Sequence, residues 1–273
     1  IYMDIRNQQS TMDKWIINKE AINPAKRFFY LEWNRKKPKK IEWLDNLPDG
    51  AVEFRVVKIK SIGLVSICGK ISSEKNILRI PSNIKDGNTQ LLKSNLQKCV
   101  RRGYCNLALQ TTIHLLAMDQ NDLLRRLPII MVEDVSSHRS FTVLVWMMAA
   151  FGEWKPNLIH IQWLLGVVNT ITKCNIFDEP PVYIKDSDMN IHIIDGYLKK
   201  SNLKSTDMAF IYSFAIRASY GGMSGDMNML VSLMWRWYLR MVSKPHDDWR
   251  ITLDKKFNPI KLRLYPLIPS DIL

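Results

Sequence analysis

Residue types that can do chemistry are present in this sequence, but they do not fall into the spacings that catalysis requires. His114, His138, His160, His192 and His246 form no HxxxH pair and have no glutamate in the HxE pattern of zinc enzymes. Cys68, Cys99, Cys105 and Cys174 show no CxxC spacing and no histidine at zinc-ligand distance. Such thiols fit a reducing compartment better than a disulfide framework. No GxSxG elbow surrounds a serine nucleophile, and no GxxxxGK[ST] loop is there to cradle nucleotide phosphates. Asp178-Glu179, beside Pro180-Pro181, and Asp186 with Asp188 read as solvent-facing loop carboxylates rather than a divalent-metal site. The expectation is a protein that works by binding, with no catalytic residue, no metal and no cofactor.

Charge is the first pointer to what it binds. Lys and Arg outnumber Asp and Glu by 39 to 26, a formal charge of +13 whose field attracts polyanions, with nucleic acid the leading class. The densest positive run is Arg35, Lys36, Lys37, Lys39 and Lys40, interrupted by Pro38 and flanked by Phe28, Phe29, Tyr30, Trp33 and Trp43. Such a segment can neutralise phosphates while its aromatic faces stack on exposed bases. It reads equally as a nuclear-import signal or as a solvated linker whose aromatics dock on the body. A second stretch, Gly221, Gly222, Ser224 and Gly225, precedes a helix and has the composition of an anion cradle. Asp226 within it favours the simpler reading, a tight turn between helices with an aspartate N-cap.

Near the start, Gln9-Ser10-Thr11-Met12-Asp13-Lys14-Trp15-Ile16 resembles a PIP box, the peptide by which replication and repair proteins dock on the sliding clamp PCNA. Gln9, Met12 and Trp15 match that pattern, and Ile16 departs from it where a second aromatic is usual. The resemblance implies that Gln9 fills a small polar pocket of the clamp while Met12, Trp15 and Ile16 plug a hydrophobic one. Residues three apart share a helix face, which is why the spacing matters. The alternative is an ordinary amphipathic helix packed on the core. A second resemblance covers residues 93–135: Leu96, Lys98, Arg101-Arg102-Gly103, Ala108-Leu109, Arg125-Arg126-Leu127 and Glu133-Asp134-Val135 look like the C-terminal helical region of the RarA/MgsA replication-associated AAA+ ATPases. That resemblance implies a helical fold, a setting at replication forks and self-association. Without a phosphate loop it carries over no ATPase activity. The residues alone support a structural reading of the same stretch: Arg101 and Arg102 complement a helix C-terminus that Gly103 ends, and Arg125 and Arg126 pair with neighbouring helices.

The elements that must position these residues follow from periodicity. Residues 1–50 read as a flexible basic N-terminal arm, because Pro38 interrupts any helix there. Residues 51–88 hold β-branched alternation, a small β-rich element with Gly63 and Gly69 at turns or bulges and one more short strand at 77–80. Residues 89–245 carry apolar residues at three- and four-residue spacing in seven segments, 89–102, 106–118, 121–133, 137–151, 157–174, 205–220 and 226–242. Asn106, Asn121, Ser137, Asn157 and Ser205 are the expected caps, residues 177–188 a loop, and residues 246–273 an irregular tail. The expected fold is mainly α: a bundle-like helical domain with a small N-terminal β element. The most apolar stretch, 141–151, falls short of the roughly 18 residues of a membrane span and reads as a core helix, so no membrane is expected as partner.

The function these features imply is non-catalytic service to DNA replication or repair, with a clamp and DNA as partners, self-association, and an intracellular setting in a nucleus or at a viral replication site. Usage rich in Lys, Ile and Asn fits an AT-rich genome, viral or protist. Two alternatives stand beside it: an assembly subunit of a viral or other large complex, and a divergent nucleic-acid enzyme whose site converges from distant helices.

Overall fold

The computed structural model describes residues 26–60, 62–71, 88–174 and 191–242. Strands β1 (Arg27–Asn34), β2 (Lys37–Leu44), β3 (Val52–Ile59) and β4 (Gly63–Lys70) form one sheet in the order β2-β1-β4-β3. Two antiparallel hairpins, β1/β2 and β3/β4, meet at a parallel pair between β1 and β4. The central strands carry the apolar load: Phe29, Leu31, Val65 and Ile67 are wholly buried, whereas the edge strands alternate with charge. The sheet therefore begins well before residue 51, inside what periodicity assigns to a flexible arm. Pro38 does exclude a helix, but it lies in β2, an edge strand, where a missing N–H need not cost a ladder bond. The expected strand at 77–80 lies outside the described residues.

Eight helices follow among the described residues: α1 (Thr89–Arg102), α2 (Cys105–Met118), α3 (Gln120–Asp134), α4 (Ser140–Ala150), α5 (Leu158–Thr172), α6 (Ile191–Lys200), α7 (Ser205–Ser219) and α8 (Ser224–Val242). Seven match the expected segments, and α6 is additional. Asn88 caps α1 by accepting from Gln90 N and Leu91 N, and Gly103 ends that helix in the left-handed region at φ 74°. Asn157 caps α5 as expected. Elsewhere the caps differ: Asp119 rather than Asn121 accepts at α3, and Asn106 lies inside α2. Neither Ser137 nor Ser205 is the cap residue of α4 or α7; Arg139 and Lys204 hold those positions without a side-chain bond.

Helix α4 organises the molecule. All eleven of its residues are buried, as a helix apolar on every side must be. It touches all four strands as well as α3 and α7. Trp146 at its middle donates its indole N–H to the carbonyls of Phe29 and Cys68, both at 3.0 Å, so the helix is tied to the two central strands. The bulge between Glu53 and Arg55 sets Phe54 in β3 edge-on to the same indole, with centroids 5.6 Å apart. Sheet and helices thus share one hydrophobic core rather than a bundle standing beside a β element. No helix among the described residues is long and apolar enough to cross a membrane.

Candidate nucleic-acid interface

The basic run forms the tip of the β1/β2 hairpin and the first half of β2. Asn34 pairs with Lys37, leaving Arg35 and Lys36 as a two-residue turn, and Arg35 adopts φ 48°. A left-handed backbone at a non-glycine residue is strained by about 1–2 kcal/mol, and two-residue hairpins ordinarily place glycine or asparagine there. Lys39 and Lys40, farther along β2, are engaged: Lys39 Nζ lies 2.8 Å from Glu32 Oε1, and Lys40 Nζ 2.8 Å from Glu42 Oε2. The Lys39 hydrogen bond holds the Glu32 carboxyl below the usual carboxylate range. Arg35, Lys36 and Lys37 are exposed and have no acidic partner among the described residues, so three cations are concentrated at one protruding turn.

Of the flanking aromatics only Phe28, at the root of β1, is half-exposed, with Lys26 Nζ 5.5 Å over its ring. Phe29, Tyr30, Trp33 and Trp43 are buried, which removes them from base stacking. Trp43 stacks on Tyr212 of α7 at 4.1 Å, and Glu42 accepts from Ser205 Oγ at 2.8 Å, so β2 is pinned to α7. Trp33 lies 4.4 Å from the ring of His160 and 5.6 Å from Trp163. His160 in turn closes the cap of α5: Asn157 Oδ1 accepts from the backbone N–H of Ile159 and His160, while His160 Nδ1 accepts from Asn157 N at 3.1 Å. Burial pushes the His160 imidazole down to about 4, which keeps Nδ1 an acceptor at neutral pH. The hairpin is thereby a rigid mount, with charge at its tip and aromatic packing at its root.

The glycine stretch is a turn between α7 and α8. Gly221 at φ 74° and Gly222 at φ 152° make the reversal. Arg217 of α7, only 4% exposed, spans it by donating Nη1 to the Gly221 carbonyl at 2.9 Å and Nε to the Arg125 carbonyl at 3.0 Å; Arg125 donates to the Tyr220 carbonyl at 2.8 Å. Burial, followed by the neighbouring Arg125, lowers Arg217 to about 10. Asp226 is buried in the first turn of α8, where it supplies the negative charge that a helix N-terminus attracts. It is the third residue of α8 rather than the cap. Gly221, Gly222, Ser224 and Gly225 therefore serve a helix-to-helix connection braced by arginines that spacing alone did not connect to it.

Residues 93–135 form the α1–α2–α3 unit, and its seam is polar. Lys93, Gln97 and Arg101, four residues apart on α1, meet Asp122, Glu133 and Asp134 of α3 at 2.8, 2.8 and 2.6 Å. Arg126 donates to Gln97 and lies 3.9 Å from Glu133. These arginines thus act as register pins between helices, as the structural reading of this stretch expects, and Arg126 also reaches Glu133 on its own helix. Burial raises the Glu133 carboxyl, with Arg126 opposing it.

Three of the thiols are held protonated by burial, which pushes Cys68 up to about 12 and raises Cys99 and Cys105. No group of His, Cys, Asp or Glu among the described residues is placed to hold a metal ion. Gln9, Met12, Trp15 and Ile16 lie outside the described residues, as do Asp178, Glu179, Asp186 and Asp188. Comparison with protein-family models, with curated proteins and with solved structures finds no match for this chain.

Proposed function

We propose that this chain is a non-catalytic accessory factor of DNA replication or repair, which docks on a PCNA-type sliding clamp through Gln9, Met12, Trp15 and Ile16 and contacts DNA phosphates through the β1/β2 hairpin. Its setting is a nucleus or a viral replication site. The observation that carries the DNA contact is the turn itself. Arg35 occupies a backbone conformation that glycine would hold with less strain, next to Lys36 and Lys37, on a scaffold pinned from behind. Strain kept at one position is a pointer to a functional side chain there. The formal charge of +13 supports the same reading, as does the PIP-like spacing for the clamp. The resemblance of residues 93–135 to an assembly region supports self-association.

The test of the hairpin is anisotropy of a labelled duplex across a salt series. Replacing Arg35, Lys36 and Lys37 by alanine should flatten the slope of log affinity against log salt by roughly two to three, since each phosphate contact contributes about 0.9. Arg35→Gly alone should weaken binding yet leave the thermal midpoint unchanged or slightly raised. Unaltered affinity and slope in the triple variant would remove the hairpin from the DNA contact.

A further inference from the structure

The far end of α8 and the outer face of α6 carry a feature that neither the hairpin nor the clamp peptide uses. Tyr197, Trp235 and Tyr238 form a triangle of rings, with centroid separations of 6.1, 6.0 and 6.2 Å. Trp235 and Tyr238 rest on the core, whereas Tyr197 is 52% exposed and stands outside it. Ile193, Leu239 and Val242 add exposed apolar surface around the triangle. Among the described residues of α6 and α8, the exposed or half-buried charges are cationic. Lys200 and Lys204 are exposed, Lys199 is exposed but paired with Asp195, and Arg240 lies on the other side of α8 with its guanidinium 4.8 Å over the Trp237 ring. The acidic residues of the two helices are turned away. Asp195 is buried against Tyr212 Oη at 2.7 Å and Lys199 at 2.6 Å, and Asp226 lies at the opposite end of α8.

We infer that this α6/α8 face is a binding surface for single-stranded nucleic acid, on which an unpaired base stacks against Tyr197 while Lys200 and Lys204 meet the flanking phosphates. Charge complementarity selects the occupant. An apolar protein partner would gain from Ile193, Leu239 and Val242 but would have to supply carboxylates for Lys200 and Lys204, whereas a polyanion with aromatic bases satisfies both features at once. A duplex keeps its base faces stacked internally, so the exposed ring discriminates for unpaired strands; the hairpin tip, which presents cations without accessible aromatics, does not. The inference shares with the proposed function only the class of partner, and it stands or falls separately from the hairpin and the clamp.

The experiment uses the full chain and fluorescein-labelled oligo-dT of about 20 nucleotides beside a duplex of equal length. Tyr197→Ala should weaken oligo-dT binding about tenfold and leave duplex binding unchanged, in keeping with the stacking of one base on one ring. Lys200→Glu with Lys204→Glu should flatten the single-strand salt slope by roughly one to two. The hairpin triple variant serves as the separate arm: it should lower duplex affinity and preserve the tenfold effect of Tyr197→Ala on oligo-dT. Nitration with tetranitromethane gives a readout independent of the variants. Tyr197 should react in the free chain and be protected by oligo-dT, while Tyr104, 55% exposed on another surface, should react in both states. Equal oligo-dT affinity in wild type and Tyr197→Ala, or a Tyr197 unreactive in the free chain because another segment covers it, overturns the inference. So does binding to anionic phosphatidylserine vesicles with none to oligo-dT.

Discussion

At the scale of single residues, His160 and Gly69 show how little of the packing tolerates change. His160 keeps the cap of α5 closed only while its imidazole is neutral, and burial holds it near 4 against an ordinary value of 6.5. A histidine depressed in the folded state is protonated first in the unfolded chain. Its contribution is therefore fully present above about pH 6.5 and is lost as pH falls from there toward 4, by up to about 3 kcal/mol at 1.36 kcal/mol for each pH unit. Urea unfolding at pH 7 and pH 4.5 checks this: His160→Gln, whose amide can still accept from Asn157 N, should show a smaller loss than wild type. Equal losses would mean that the imidazole does not titrate in this window. Gly69 lets β4 and Trp146 approach β1. An added Cβ would sit 2.6 Å from the Leu31 carbonyl oxygen and 3.2 Å from the Trp146 ring. The obstacle on one side is backbone, which cannot rotate away, so Gly69→Ala should cost about 3 kcal/mol, at the upper end for overpacking. A loss under about 0.5 kcal/mol in denaturant unfolding would show that the strands separate freely.

Between elements, the α1/α3 seam makes the next testable statement. The Asp134 side chain is 4% exposed and relies on Arg101, which is 58% exposed at the rim. Arg101→Ala strands a buried carboxylate and should cost about 2–3 kcal/mol, while adding Asp134→Asn should recover about half of that by removing the charge. A double variant no more stable than Arg101→Ala would contradict this assignment. Seven of the helices were legible in the sequence because three- and four-residue spacing survives whatever packs against it. Helix α6 carries Ile191, Ile194 and Leu198 at helical spacing, but its ten residues give too short a periodic run to stand out. The sheet was legible only from residue 51, because β1 is buried on both faces in the middle and so lacks clean alternation. The cap of α3 moved from Asn121 to Asp119, whose side chain accepts from Asp122 N, whereas α4 and α7 have Arg139 and Lys204 at the cap position with no side-chain cap bond. The hairpin cations were found by composition alone. That their aromatic neighbours face inward was one of three readings the sequence left open, since the side a strand presents is decided by its partner elements.

For the whole molecule, the distribution of positive charge matters more than its sum. Seven Lys and Arg side chains are engaged by Glu32, Glu42, Glu53, Asp122, Asp134, Asp195 and Asp207. Among the described residues, Arg35, Lys36 and Lys37 project at the hairpin tip and Lys200 and Lys204 beside Tyr197. Arg55, Lys58 and Lys60 on and after β3 and Lys70, Lys98, Arg102, Lys155 and Lys173 are exposed elsewhere on the same core. A clamp-docked factor of this design would use a leading peptide for attachment and its folded body for DNA, so that holding the clamp brings both surfaces to the template at high effective concentration. Attachment to the clamp is the part on which that arrangement depends. Calorimetric titration of the full chain into a PCNA-type clamp measures it directly. Binding with a dissociation constant of tens of micromolar or tighter, about 6 kcal/mol or more, abolished by Met12→Ala with Trp15→Ala, is the expected result. No binding at that concentration, or affinity indifferent to those two substitutions, would contradict it.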